Sequence, residues 1–281
     1  MSGRIVLAAT PIGNLADASA RLREMLATAD VVAAEDTRRT VDLARGLGVG
    51  ISGRLVALHD HNERERADAV VAEAAAGAQV LLVTDAGMPT VSDPGYRLVT
   101  AAVAAGVEVT VLPGPSAALA ALAVSGLPTD RFAFEGFLPR KGGERDRALA
   151  ALAAERRTLV FFEAPHRLAE SLGAMATAFG EARAASVSRE LTKTYEETRR
   201  GTLGDLARWA AQGVKGEIVV CVAGAAPREL GLEQAVVEAV ARVHQGERAK
   251  EVARELAPLV GVPARDLYAS ILAARGAADG A

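Results

Sequence analysis

Five short apolar runs constrain this chain more than any other feature. Each is followed by a loop of polar, Gly or Pro residues, and four of the loops lead into a segment with apolar residues at helical spacing. The runs read as strands over Arg4–Thr10, Val31–Glu35, Leu55–His59, Gln79–Asp85 and Val107–Pro113. Helices are predicted between them over Asp17–Ala29, Thr37–Gly46, Glu63–Gly77 and Pro94–Gly106. The runs are nearly continuous rather than alternating, which is the pattern of a parallel sheet covered on both faces. The class is therefore α/β, with ligand-bearing loops at the carboxyl ends of the strands.

The longest of those loops is DAGMPTVSDPG, residues 85–95. It has no GxGxxG and no GxxxxGK[ST], so neither glycine-loop mechanism for phosphate applies. Pro94 suits a first helical turn, with Asp93 or Ser92 as its cap. The other rim loops are TPIGN (10–14), EDTRRT (35–40), HDHNE (59–63) and PGPSA (113–117). Ser116, before an Ala-rich segment, reads as a helix N-cap.

The Pro-Gly-Pro at 113–115 marks a hinge between a first α/β domain, 1–113, and a second, 114–226. After a small-residue helix from Ser116 to Gly126, strands are predicted over Phe132–Phe137, Thr158–Glu163, Arg183–Arg189 and Gly216–Ala223. Helices are predicted over Glu144–Glu155, Pro165–Phe179 and Leu203–Gln212, and the sheet is expected to be mixed. From 230 to 281 there are only helical segments: Leu232–His244, Glu247–Val260 and Ala264–Ala274. Their helix, Gly/Pro turn, helix pattern fits a helix-turn-helix-like tail or a helical hairpin packed on the second domain.

Composition narrows the function classes. The 281 residues carry a net charge of −3, so a globally basic nucleic-acid binder is excluded while a local basic patch is not. The single cysteine, Cys221, lies in an apolar run and excludes a disulfide framework within the chain. His59 and His61 have no third ligand at zinc spacing near them; no metal is expected. There is no leader pattern and no membrane-length apolar run, and the expected location is the cytoplasm. PRKGGERDR (139–147) and SRELTKTYEETRRG (188–201) hold slight cationic excesses that suit a phosphate backbone.

Eight motifs occur in order: TPIGNL, AEDTRRT, HNE, TDAGMPTVSDPG, LPGPSA, GFLPRK, EAPHR and RELTKTYEE. Together they resemble the ribosomal RNA small subunit methyltransferase I family of the tetrapyrrole methylase class, from about Arg4 to Ala223. The resemblance implies two α/β domains with S-adenosylmethionine in the cleft between them, a homodimer, and methyl transfer to the 2′-oxygen of a cytidine in the decoding region of 16S rRNA. It implies that Asp85, Gly87 and Met88 hold the methionine part. Ser116 and Ala117 would offer backbone N–H to its carboxylate. Pro11 and Gly13 would line the same cleft, and Pro165 and Gly216 would close it from the other lobe. Glu35, Asp36, Glu163 and His166 are candidate bases for the hydroxyl proton. Arg38, Arg39, Arg140, Lys141, Arg167, Arg189 and Lys193 are candidates for RNA phosphates. Two rivals share the cofactor loops or the fold: a methylase of a small tetrapyrrole-type acceptor, and a noncatalytic RNA-binding assembly protein.

Overall fold

The computed structural model describes residues 3–59, 62–226 and 230–278. The chain forms two compact units, Met1–Gly224 and Ala225–Ala281. In the larger unit, β1 (Arg4–Ala8), β2 (Val31–Ala34), β3 (Arg54–Ala57), β4 (Gln79–Val83) and β5 (Glu108–Leu112) form an all-parallel sheet. Its order is β3-β2-β4-β1-β5. Alternate side chains of each strand face opposite layers. Ile5, Leu7, Val80 and Leu82 pack against α3 (Glu63–Ala75) and α4 (Tyr96–Ala104). Val6, Ala8, Leu81 and Val83 pack against α1 (Ala20–Thr28) and α2 (Thr37–Gly46). Burial on both faces is why these strands read as unbroken apolar runs.

The connection from β1 leads to one side of the sheet and that from β4 to the other, so the two loops part above neighbouring strands and leave a crevice. The loops are tied at its base. Thr10 N–H donates to the Gly87 carbonyl at 2.9 Å, and Gly87 N–H returns to the Thr10 carbonyl at 3.1 Å.

The start of α4 departs from the sequence expectation. Pro94 precedes the helix, and the capping position is Gly95 at φ +125°, not Asp93 or Ser92. The cap comes from another helix. Glu63 is buried, and its Oε1 accepts from the N–H groups of Gly95, Arg97 and Leu98 at 3.1, 2.7 and 3.1 Å. One carboxylate thus satisfies three donors that a helix start leaves free. The third strand is also shorter than expected. It ends at Ala57, so His59 lies in the following loop, its N–H donating to Asn62 Oδ1 at 2.9 Å; His61 is outside the described residues.

The second sheet contains β6 (Phe132–Phe137), β7 (Thr158–Glu163), β8 (Ala184–Arg189), β9 (Glu197–Thr202) and β10 (Ile218–Val222), in the order β6-β7-β10-β8-β9. β6 and β7 are parallel and the other pairs antiparallel, so the sheet is mixed as expected. Phe161, Val187 and Val220 face α6 (Gly142–Leu152), α7 (Leu168–Phe179) and α8 (Leu203–Ala210). Val160, Val219 and Cys221 face α5 (Ala117–Ser125). Ser116 caps α5 as expected, and the helix ends at Gly126 in the left-handed conformation.

The sequence reading has no strand at β9. ETRRGT lacks apolar alternation because it is an edge strand, held by backbone pairing with β8 and by polar cross-strand contacts. Arg189 Nε donates to Glu197 at 2.7 Å, and the Arg199 guanidinium stacks over Trp209 at 4.8 Å.

In the smaller unit, α9 (Leu232–His244), α10 (Ala249–Val260) and α11 (Ala264–Ala278) enclose Ala239, Val252, Leu256, Leu267 and Ile271. The bend between α10 and α11 is 117°, within the range of a helix-turn-helix. Among the described residues no single helix is long and apolar enough to cross a membrane.

Candidate functional site

A cavity of about 370 Å³ lies where the rim of the first sheet meets the second. The first sheet contributes Ile12 after β1, Ala86–Met88 and Val91–Asp93 after β4, and Ser116 and Ala117 at the start of α5. The second contributes Phe162–Pro165 from the end of β7, Gly216–Val219 from the start of β10, and Leu191 after β8. β10 runs against β7 and β8, so its amino end meets their carboxyl ends at one edge.

The loop after β4 is conformationally constrained. Gly87 and Gly95 have φ of +87° and +125°, and two non-glycine residues, Thr90 and Ser92, sit at +74° and +62°. Such residues are costly and persist only where surrounding contacts fix them. A Cβ on Gly87 would lie 3.7 Å from Ile12 Cγ2 and 4.0 Å from the Pro115 carbonyl, ordinary contacts, so the positive φ and not crowding requires glycine. Gly216 is held by both constraints, since its φ is +100° and a Cβ there would collide with Glu190. At α5, Ser116 Oγ accepts from Leu119 N–H at 3.5 Å. The first N–H groups of this helix have no partner within it and suit an anion.

Six of the nine residues expected at the cofactor line this cavity: Gly87, Met88, Ser116, Ala117, Pro165 and Gly216. Pro11 and Gly13 flank Ile12, the lining residue between them, and a Cβ on Gly13 would collide with Lys193. Asp85 does not line the cavity. Its Oδ2 pairs with Arg39 at 3.0 Å and its N–H donates to Glu35 at 3.1 Å, while Oδ1 is buried with no hydrogen-bond partner. Burial pushes the Asp85 carboxyl above its ordinary range, against the pull of Arg39.

Of the four candidate bases only Glu163 lines the cavity. Its carboxylate accepts from Ser171 Oγ at 2.5 Å and Ala164 N–H at 2.8 Å, and pairs with Arg167 at 3.5 Å. Asp36 caps α2 and pairs with Arg38 at 3.1 Å; the hydrogen bond from the Arg38 side chain holds its carboxyl below the usual range. Glu35 binds the Asp85 backbone, and His166 is exposed away from the lining.

The candidate phosphate ligands divide into two kinds. Arg140 and Lys141 are exposed at the end of β6, and Arg38 is exposed beside its partner Asp36. Arg167 is mostly buried, and its guanidinium donates to the carbonyls of Leu138 and Pro139 at 3.0 and 2.9 Å, which anchors the segment carrying Arg140 and Lys141. Arg189 pairs with Glu197 across the sheet. Lys193 bridges Glu190 at 2.9 Å and Glu217 at 3.0 Å. Burial opposes the charge on Lys193, but these two hydrogen bonds outweigh it and raise the pKa. The sequence reading missed Ile12, Asp93, Phe137, Phe162 and Leu191 as cavity residues. Asp93 reads as a helix cap within the 85–95 loop expected at the cofactor, and the apolar four carry no signal that separates a cavity wall from a core.

Residues 4–207 match the family model of tetrapyrrole (corrin/porphyrin) methylases. The chain is similar to the ribosomal RNA small subunit methyltransferase I of Mycobacterium tuberculosis, with 53% identity over 275 residues, 98% of this chain and 96% of that one. The chain belongs to the ribosomal RNA small subunit methyltransferase I family of tetrapyrrole methylases. It is an S-adenosylmethionine-dependent methyltransferase. Solved methyltransferases share its fold at low identity. The methyltransferase CobJ has a TM-score of 0.60 at 23% identity, covering 82% of this chain and 98% of that one. The uroporphyrin-III C-methyltransferase of Thermus thermophilus, complexed with S-adenyl homocysteine, has a TM-score of 0.53 at 22% identity, covering 79% and 97%. The cavity of this tetrapyrrole methylase fits its cofactor in chemistry: apolar walls at Ile12, Val91 and Phe162, and a helix start for a carboxylate.

Proposed function

We propose that this methylase transfers the methyl group of S-adenosylmethionine to the ribose 2′-oxygen of a cytidine in 16S rRNA, in the decoding region of the small subunit. The observation that carries the reading is the 53% identity, across nearly both whole chains, to a relative named for small-subunit ribosomal RNA. The neighbour named for a uroporphyrin acceptor stands at 22%. In this reading residues 1–113 and 114–226 are the two domains that close on the cofactor, and the enzyme works as a cytoplasmic homodimer. Residues 230–281 dock on RNA, through exposed Arg248, Lys250 and Arg254.

The cofactor, when bound, supplies a methyl group already activated by its sulfonium. The protein's task is placement. Backbone groups of Gly87 and Met88 and the N–H groups at Ser116 and Ala117 hold the methionine end. The walls at Pro165 and Gly216 exclude water from the other side. Pro11 and Gly13 set the loop that presents Ile12, and Asp85, pinned by Arg39 and Glu35, fixes the entry to the β4 loop. Alignment of a nucleophile with its target supplies up to roughly 7–11 kcal/mol. Glu163, with both oxygens engaged, holds the end of β7 in place, so positioning and not a strong base carries the rate.

Mass mapping of 16S rRNA, incubated as small subunits with and without the enzyme, tests the reading. The expected product is one ribose-methylated cytidine that resists alkaline cleavage at its 3′ phosphate. A methyl group found only on a base, or only on a porphyrin precursor offered in competition, would sink it.

A further inference from the structure

β6 contains one residue more than its partner requires. Phe134 pairs with Val160 of β7, but the next two partners, Phe161 and Phe162, face Gly136 and Phe137, so Glu135 is extra. Gly136 takes a φ of +63° to accommodate it. In a regular strand Phe137 would share a face with Ala133, toward α6 and α7. The bulge reverses the alternation, and Phe137 lies beside Phe162 on the cavity side.

The result is an aromatic ring at the mouth of the cavity. Phe137 lines it yet remains 57% exposed. Its centroid is 5.6 Å from that of Phe162, which in turn meets Phe134 edge-on at 4.9 Å. The ring is thus fixed from behind and open in front. A Cβ on Gly136 would stand 3.3 Å from Ser92 Oγ, so the bulge also rests on the constrained loop of the first sheet. Three and four residues on, Arg140 and Lys141 are exposed, in a segment that Arg167 anchors at Leu138 and Pro139. Lys141 meets Glu144 at 3.4 Å with both side chains largely exposed. An open aromatic face next to exposed cations is what an unstacked nucleotide requires: a surface for the base and charges for the flanking phosphates.

We propose that Phe137 is the platform on which the base of the acceptor nucleotide stacks, with Arg140 and Lys141 on the adjoining phosphates, so that the ribose is held over the cavity. This inference rests on the RNA reading above and adds the residue that presents the nucleotide. Stacking reads no hydrogen-bond pattern, so Phe137 contributes to rate and affinity and little to the choice among bases.

The test uses the full chain, with small ribosomal subunits lacking the modification as acceptor. Phe137→Ala should lower kcat/KM for subunits roughly tenfold to a hundredfold, the size of one base–aromatic stack. Its affinity for S-adenosylmethionine, measured by calorimetry, should stay within about twofold. Phe137→Trp should restore the rate, and Phe137→Leu, which keeps apolar bulk without a π-face, should remain near the alanine level. A leucine variant as active as wild type, or an alanine variant with unchanged kcat/KM, overturns the platform while leaving ribose methylation intact. A loss of cofactor affinity matching the loss of rate overturns it too, by assigning the ring to the cofactor. Wild-type enzyme that leaves subunit ribose unmethylated overturns both readings.

Discussion

All strands of the first sheet run one way, so every loop leaving a carboxyl end arrives at the same rim. In the second sheet β6 and β7 run together and the other neighbours run opposite ways, and the cavity wall is assembled from the end of β7, the end of β8 and the beginning of β10. A parallel sheet sorts functional loops by chain order alone. A mixed sheet sorts them only once the pairing is known. Each half also uses one buried carboxylate for a backbone task beside the cavity. Glu63 caps α4 in the first, and Glu163 ties β7 to Ser171 and Arg167 of the α7 region in the second.

The sharpest way to break that parallel is to remove the two carboxylates in turn. Glu163→Ala strands the mostly buried Arg167 guanidinium without its counter-charge, and should cost about 3–5 kcal/mol in urea unfolding. Glu63→Ala leaves three helix-start N–H groups without an acceptor, two of them on buried residues. It should cost about 2–4 kcal/mol, given roughly 1–3 kcal/mol for each unsatisfied buried group and partial access of water to Arg97. Recovery by the glutamine variant at one site and not at the other would show that the two are not doing the same job.

The two glycines sharpen the comparison at the cofactor. Gly216→Ala meets both a collision with Glu190 and a positive φ, whereas Gly87→Ala meets the positive φ and ordinary contacts. Calorimetry with S-adenosylmethionine should show the larger loss at Gly216, beyond tenfold. The loss at Gly87 should be near the roughly 1–2 kcal/mol of a side chain forced into left-handed backbone. The reverse order would place the cofactor closer to the first sheet than these contacts allow.

The first half was legible because burial on both faces writes itself as apolar runs, and α5 in the second because Ser116 and Gly126 delimit it by local chemistry alone. The Glu63 cap was not legible: its acceptor and donors are more than thirty residues apart, and Pro94 offered a plausible local start instead. β9 was hidden because an edge strand of Arg, Glu and Thr has no alternation to read. Arg167 looked like a free cation, since its distinguishing partners are two backbone carbonyls. Phe137 lay on the wrong face of any regular strand, and only the pairing with β7 reveals the bulge.

The smallest effect expected is acid-dependent and confined to the second half. The backbone N–H of Glu217, and then Lys193, hold the Glu190 carboxyl below its ordinary value near 4.5. The stability from this latch is full above that value and is lost as the pH falls through the lower folded value. The gap in melting temperature between wild type and Glu190→Gln should be constant from neutral pH to about pH 5 and then close. A gap that persists in stronger acid would locate the effect outside this ionisation.

The Glu63 cap has a consequence in time as well as in space. A loop whose exit is secured by a residue from the preceding helix cannot reach its final shape until that helix has docked. During refolding, the Gly95 and Leu98 amides should therefore gain protection from hydrogen exchange together with α3, and not with the β4 strand that immediately precedes their own loop. The crevice above β1 and β4 would be finished last, after the layers on either side of the sheet are already in place.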